Sequence, residues 1–197
     1  MNIILNLFIM ANYCNCSIVI SGDENDIKRL FDKLNSEELN GKNLHSENIP
    51  LLFESVDEKY DWGSKWQIID SMEFEGDTLY LYGDSAWKPA DGLWEKISKD
   101  YNVTVSCEYS EPGCDFAGKT IWENGEETFR EEMAYLEYLY QSDNDYFWDE
   151  VGYKCEYDSI ETVIEDLGDI YNKFSESEIE KLNEVHSQNY CGDEDEE

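Results

Sequence analysis

Positive charge is what this sequence has least of. Its 197 residues include 14 lysines and arginines against 47 aspartates and glutamates, a formal net charge of −33 at neutral pH. Binding a polyanion needs basic groups that displace its counterions, so we expect no direct contact with nucleic acid and none with an anionic membrane. Histidine is nearly absent. His45 and His186 are the two present, and neither lies in a nucleophile–base arrangement. The chain also lacks a P-loop, a G-x-G-x-x-G turn and an H-E-x-x-H helix. Cysteine occurs six times, at Cys14, Cys16, Cys107, Cys114, Cys155 and Cys191, without the C-x-x-C pairs of a zinc ribbon or a redox site. Reduced thiols in a cytosolic protein are the expectation. No apolar run is long enough to cross a bilayer. The opening MNIILNLFI falls short of a span and lacks the basic start of a signal peptide, which points to the cytoplasm. These absences remove the ordinary catalytic and cofactor signatures, so we expect no enzyme, no cofactor and no metal.

What is present is apolar and aromatic. A hydrophobic fraction of 41% and an aromatic fraction of 14%, with six tryptophans, place the chain outside the composition of disordered proteins. YCNCSIVISG alternates as a strand, and its Cys14 and Cys16 share one face, a core pattern more than a metal pair. DENDIKRLFDKLN repeats apolar residues at Ile27, Leu30, Phe31 and Leu34, an amphipathic helix with acids at its start. A loop containing NIPLLFES follows. KYDWGSKWQIIDSMEFEGDTLYLYGDSAW reads as two strands turning at Glu75-Gly76-Asp77, PADGLWEKISKDY as a helix begun near Pro89, and NVTVSCEYS as a strand. The order is β-α-β-β-α-β. That predicts an α+β fold, a ferredoxin-like split βαβ sandwich with two helices on one face of an antiparallel sheet and strand aromatics in its core.

Several motifs fall in a recognisable order. Met10 to Cys14 reads MANYC, Trp62 to Trp66 reads WGSKW, Trp87 to Pro89 reads WKP, and Glu111 to Gly118 reads EPGCDFAG. In these the chain resembles the YubB-like ferredoxin-like proteins of phages, plasmids and other mobile elements, over about residues 10–125. The resemblance implies the fold and a mobile-element setting in a bacterial host cell, and it brings no catalytic residues. Residues 1–9 are then an apolar extension, 126–190 an acidic mixed hairpin and helical subdomain, and 191–197 an acidic tail.

Beyond residue 125, FAGKTIWENGEETFREEMAYLEYLY offers a hairpin at Asn124-Gly125 or a strand running into a helix. SIETVIEDLGDIYNKF reads as a helix ended or kinked by Gly168, and SESEIEKLNEVHSQ as a helix capped by Ser175 with Glu178, or by Ser177. Acidity concentrates here: residues 101–197 hold 28 acids and 5 bases. Its densest stretch, SDNDYFWDEVGYKCEYDSIE, threads aromatic rings through carboxylates. DNDYFWDE lacks the glycine and the closing glutamate of an EF-hand loop.

Rings supply binding energy and charges supply steering, so this stretch predicts a protein interface for a basic partner. The candidate phosphate surrogates are Asp143, Asp145, Asp149, Glu150, Glu156 and Asp158, and the candidate anchors are Tyr146, Trp148 and Tyr153. With the mobile-element setting, the expectation is an inhibitor of host immunity that mimics nucleic acid. Its target is a basic nucleic-acid-binding host protein such as a CRISPR effector or a restriction nuclease. Two alternatives stay open. One is a small-ligand protein or enzyme with a site near Trp62, Trp66, Trp87 and Asp115. The other is an antitoxin-like acidic partner of a basic protein encoded by the same element.

Overall fold

The structure is a computed structural model, and it describes residues 13–39, 43–45, 47–57, 59–142 and 144–190. The apolar extension 1–9, Asp143 and the tail 191–197 lie outside those residues. Contacts divide the chain into two compact units, 1–132 and 133–197.

Among the described residues, the first unit is built on a sheet of eight strands. Strand β1 (Tyr13–Gly22) places Cys14, Cys16, Ile18 and Ile20 on its buried face, as alternation predicts. It leads into helix α1 (Glu24–Leu34), whose N-cap Asp23 accepts the Asn25 amide at 2.9 Å. A short strand β2 (Asn43–His45) and a 3₁₀ turn (Ile49–Leu52) occupy the region read as a loop. Strands β3 (Trp66–Ile68), β4 (Ser71–Glu75) and β5 (Thr78–Ala86) follow, then helix α2 (Asp91–Asp100), β6 (Val103–Glu111), β7 (Phe116–Glu123) and β8 (Glu126–Met133). The sheet order is β2-β3-β5-β1-β6-β7-β8, with β4 also on β5, and β1 is antiparallel to both β5 and β6. That centre, with α1 and α2 packed on the buried face around Ile27, Leu30, Leu93, Trp94 and Ile97, is the expected split βαβ sandwich.

Four features depart from the sequence reading. The strand before the Gly76 turn is broken: Gln67 pairs Ser85 and Ser71 pairs Tyr82, so one extra residue bulges out on the β3–β4 side. Gly83 faces that bulge so closely that a Cβ there would collide with the Ile68 carbonyl. The Asn124-Gly125 segment forms both alternatives at once, a hairpin and then a helix. Asn124 and Gly125 take φ values of 54° and 80°, the geometry of a two-residue hairpin turn. Strand β8 therefore extends the sheet, and the boundary falls at 132/133 where 125/126 was expected. Finally, strand aromatics are not all core. Tyr80 and Tyr82 alternate outward from Leu79 and Leu81, and Tyr13 and Tyr82 are exposed on the open face of the sheet.

The interior of the first unit is apolar and includes three thiols. Cys14, Cys16 and Cys107 are buried on neighbouring strands, and Cys16 lies 3.4 Å from the Ser85 hydroxyl. Hydrogen bonding to Cys16 and burial push the Cys14 and Cys107 thiols well above their ordinary range, so both stay protonated.

Candidate functional site

The second unit consists of helices α3 (Tyr135–Ser142), α4 (Asn144–Tyr157), α5 (Ile160–Leu167) and α6 (Glu176–Asn189). Each forms for a local reason. Ser159 caps α5, Gly168 ends it at φ 51°, and Ser175 opens α6 in a reciprocal capping box with Glu178. The Ser175 amide donates to Glu178 Oε2 at 2.7 Å, and bonding from Ser175 holds the Glu178 carboxyl below its ordinary pKa.

Burial selects the faces of α4. Phe147, Trp148, Val151 and Cys155 recur at helical spacing and point into a core with Leu139, Val163, Leu167, Phe174 and Leu182. Phe147 and Trp148 meet edge to face at 5.3 Å, and Phe174 sits 5.7 Å from Trp148. Trp148 is 6% exposed, with the Lys181 ammonium 4.5 Å above its ring. It is a core residue and no free anchor.

The opposite face carries Asp145, Tyr146, Asp149, Glu150, Tyr153 and Glu156, and Asp158 directly follows the last residue of the helix. Tyr146, Tyr153 and Tyr157 are 53%, 64% and 66% exposed, and Tyr153 and Tyr157 pack edge to face at 5.5 Å. Asp145 and Asp149 lie exposed among them, while Glu150, Glu156 and Asp158 are half-buried. The Tyr157 hydroxyl donates to Glu156 Oε1 at 2.9 Å. Tyr157 belongs to this face although it was not among the expected anchors. Its spacing of four residues from Tyr153 was the available signal. Asp143 lies outside the described residues.

Among the described residues the charge on this face is uncompensated. Residues 133–197 contain 20 carboxylates and three lysines. All three lysines are engaged elsewhere: Lys154 pairs Asp166 at 2.7 Å, Lys173 pairs Glu137 at 3.0 Å, and Lys181 covers Trp148. Among the described residues no ion pair reaches Asp145, Asp149, Glu150, Glu156 or Asp158. The arrangement holds a negative potential on an ordered helix with rings standing beside the charges.

The residues of the alternative site, in the first unit, are only partly brought together. Trp62 is 7% exposed, stacked on Phe53 at 5.6 Å and beside Tyr60 at 4.8 Å. Trp62 and Trp87 line one groove. Trp66 packs on Tyr13 at 5.4 Å, and Asp115 ends the 3₁₀ turn after β6 at φ 53°; neither lines it. Among the described residues, no cluster of three or more His, Cys, Asp or Glu is arranged to hold a metal, and no helix is long and apolar enough to cross a membrane.

Comparison with known families matches residues 61–145 to the ferredoxin-like domain in Api92-like protein. The matched segment runs from the Trp62 loop through β8 and α3 and ends at the start of α4, so the ferredoxin-like assignment rests on sequence as well as on the strand order. The chain is also similar to the crystal structure of a protein api92 from Yersinia pseudotuberculosis, at 19% identity and a TM-score of 0.33. That match covers 43% of this chain and 33% of the other, so this chain spans about a third of that protein's length. No curated protein matches the chain.

Proposed function

We propose that this is a binding protein whose acidic helical unit occupies the nucleic-acid site of a basic partner. The observation that carries the reading is the outer face of α4, where exposed tyrosines alternate with carboxylates that no lysine among the described residues neutralises. Magnitudes favour one form of mimicry. Fourteen helical residues span about 21 Å. Over that length one DNA strand carries about six phosphates and a duplex about twelve. Helix α4 with the adjoining Asp158 presents Asp145, Asp149, Glu150, Glu156 and Asp158, a density closer to a single strand.

The finer reading rests on the resemblance to YubB-like proteins of mobile elements. In that setting the partner is a host defence protein that holds nucleic acid in a basic site, such as a CRISPR effector or a restriction nuclease, and the protein is its inhibitor. The test is a pull-down from a defence-bearing bacterial lysate at low and high salt, repeated with Asp145→Asn, Asp149→Asn, Glu150→Gln and Glu156→Gln combined. A nucleic-acid-binding partner that is retained at low salt, released at high salt and lost with the amide variant supports the reading. Retention that ignores both salt and the amides overturns it.

A further inference from the structure

The groove beside Trp87 is built differently from the rest of this acidic surface. At the end of β5 the chain makes a three-residue turn in which the Lys88 amide donates to the Ala86 carbonyl at 2.9 Å, with Trp87 at φ 68°. This is the rare, strained form of the γ-turn, and a tryptophan at positive φ is a steric outlier. Neighbouring hydroxyls pin it from both sides. Ser64 Oγ accepts the Ala86 amide at 2.9 Å and shares its proton between the carbonyls of Trp66 and Ala86, while Ser85 Oγ donates to the Lys88 carbonyl at 2.8 Å. The effect is a fixed backbone turn carrying Trp87, which is 39% exposed and lines a groove of about 440 Å³. That volume falls in the range of small-molecule sites.

Tyr60, Trp62 and Gly63 also line the groove. Gly63 at φ 81° lies so close to the Asp91 amide that a side chain would not fit, and the Tyr60 hydroxyl is committed to the Gly92 carbonyl at 3.3 Å. Cations distinguish the groove. Among the described residues five lysines enter no ion pair. Lys181 sits on Trp148 and the stem of Lys99 packs beside Gly125. The other three, Lys59, Lys65 and Lys88, belong to the two segments that form this groove, and Lys65 and Lys88 line it. One carboxylate, Asp61, also lines it, and its Oδ1 is occupied by the Gly63 amide at 2.9 Å. A larger groove of about 1150 Å³ along α1 contrasts with this. Its Lys28, Arg29 and Lys33 are each paired, with Asp32, Asp26 and Glu38.

We infer that the Trp87 groove binds a planar aromatic ring carrying a phosphate, a ligand of nucleoside monophosphate size. A strained turn held by two serines is a device for presenting Trp87 as a stacking surface, and strain of this kind persists where the surroundings over-determine it for a task. Lys65 and Lys88, neither within ion-pair distance of a carboxylate although Lys88 feels the charge of Asp91, match the charge of a phosphate monoester. The net charge of −33 opposes anything longer, because a polynucleotide continuing past the groove meets carboxylates. The site lies in the first unit.

Titration of the full-length protein with adenosine and uridine monophosphates, followed by isothermal calorimetry, tests this. One saturable site is expected, with binding weakened about tenfold by Trp87→Ala and about tenfold by each of Lys65→Gln and Lys88→Gln, at unchanged circular dichroism. Adenosine and inorganic phosphate alone should each bind more weakly than the monophosphate, and an oligothymidylate no more tightly. The inference is overturned by absence of saturable binding up to about 5 mM of either monophosphate, by affinity that ignores the three substitutions, or by an oligothymidylate that binds more tightly. Should Trp87→Ala fail to fold, the two lysine variants, both at exposed positions, decide the matter alone.

Discussion

Tyr153 and Tyr157 stand one helical turn apart on the outer face of α4, their rings meeting edge to face at 5.5 Å with about two-thirds of each residue in solvent. Neither contributes to the core, so Tyr153→Ala with Tyr157→Ala should shift stability by no more than about 0.5 kcal/mol per site. Large rings beside uncompensated charge act as anchors when a partner covers them. The double variant is therefore expected to weaken partner capture by about 2 kcal/mol or more, measured as the dissociation constant for the protein recovered in the pull-down. Unchanged affinity would assign the two rings to solvent exposure alone.

Trp148 behaves in the opposite way. Its ring is packed between Phe147, Phe174 and the Lys181 ammonium, and truncation leaves a cavity in a small core. Trp148→Ala is expected to destabilise the second unit by about 3–5 kcal/mol, read from urea denaturation followed by circular dichroism. A loss of binding in this variant would come from unfolding, so it serves as the control that Tyr153→Ala requires.

The contrast between these residues shows how far the sequence could be read. Strand β1, helices α1 and α2 and strand β6 were legible because each has one apolar face with a clear period, as in Cys14, Cys16, Ile18 and Ile20. Helix α4 was not, because Tyr146, Tyr153 and Tyr157 put rings on its polar side and blur the helical stripe of Phe147, Trp148, Val151 and Cys155. Strand β8, EETFREEM, has no apolar face at all and exists because the Asn124-Gly125 turn delivers it to β7. The Trp87 turn depends on the neighbouring Ser85 hydroxyl and on that of Ser64, which comes from a different segment and leaves no local pattern.

Gly83 is a second place where distant backbone decides a residue. The bulge between β3 and β4 brings the Ile68 carbonyl into the space a Cβ would occupy, and the Asp70 amide, which donates to the Tyr82 carbonyl at 2.8 Å, holds it there. Gly83→Ala must push β3–β4 away from β5, at a cost of about 1–3 kcal/mol. Denaturant midpoints at constant slope would show it. A midpoint equal to that of the parent protein would mean that the bulge relaxes freely.

The capping box of α6 gives stability a pH dependence whose sign follows from its geometry. Glu178 accepts from the Ser175 amide at 2.7 Å and the Ser175 hydroxyl at 2.6 Å, which lowers its folded pKa below the ordinary 4.5. A depressed carboxyl stabilises the fold above the unfolded value and loses that contribution as pH falls through the folded one. Ser175→Ala should therefore cost about 1 kcal/mol at pH 7, and the difference from the parent protein should shrink at pH 3. Urea midpoints of both proteins at the two pH values check this, and a difference that does not shrink removes Glu178 from the account.

Salt separates the fold from the proposed interface, because it acts on them in opposite directions. With 47 acidic and 14 basic residues the folded chain repels itself. Raising ionic strength from about 0.01 M to about 0.15 M shortens the screening length from about 30 Å to about 8 Å and relieves that repulsion. A gain of about 1 kcal/mol is expected, seen as a Tm higher by about 2–4 °C. Capture of a basic partner by α4 should weaken over the same range, since the same screening removes its attraction. A protein that becomes more stable while it binds less tightly cannot be losing its partner through unfolding. A fall in both quantities together would instead attribute the salt effect to the fold and leave no role for the uncompensated carboxylates of α4.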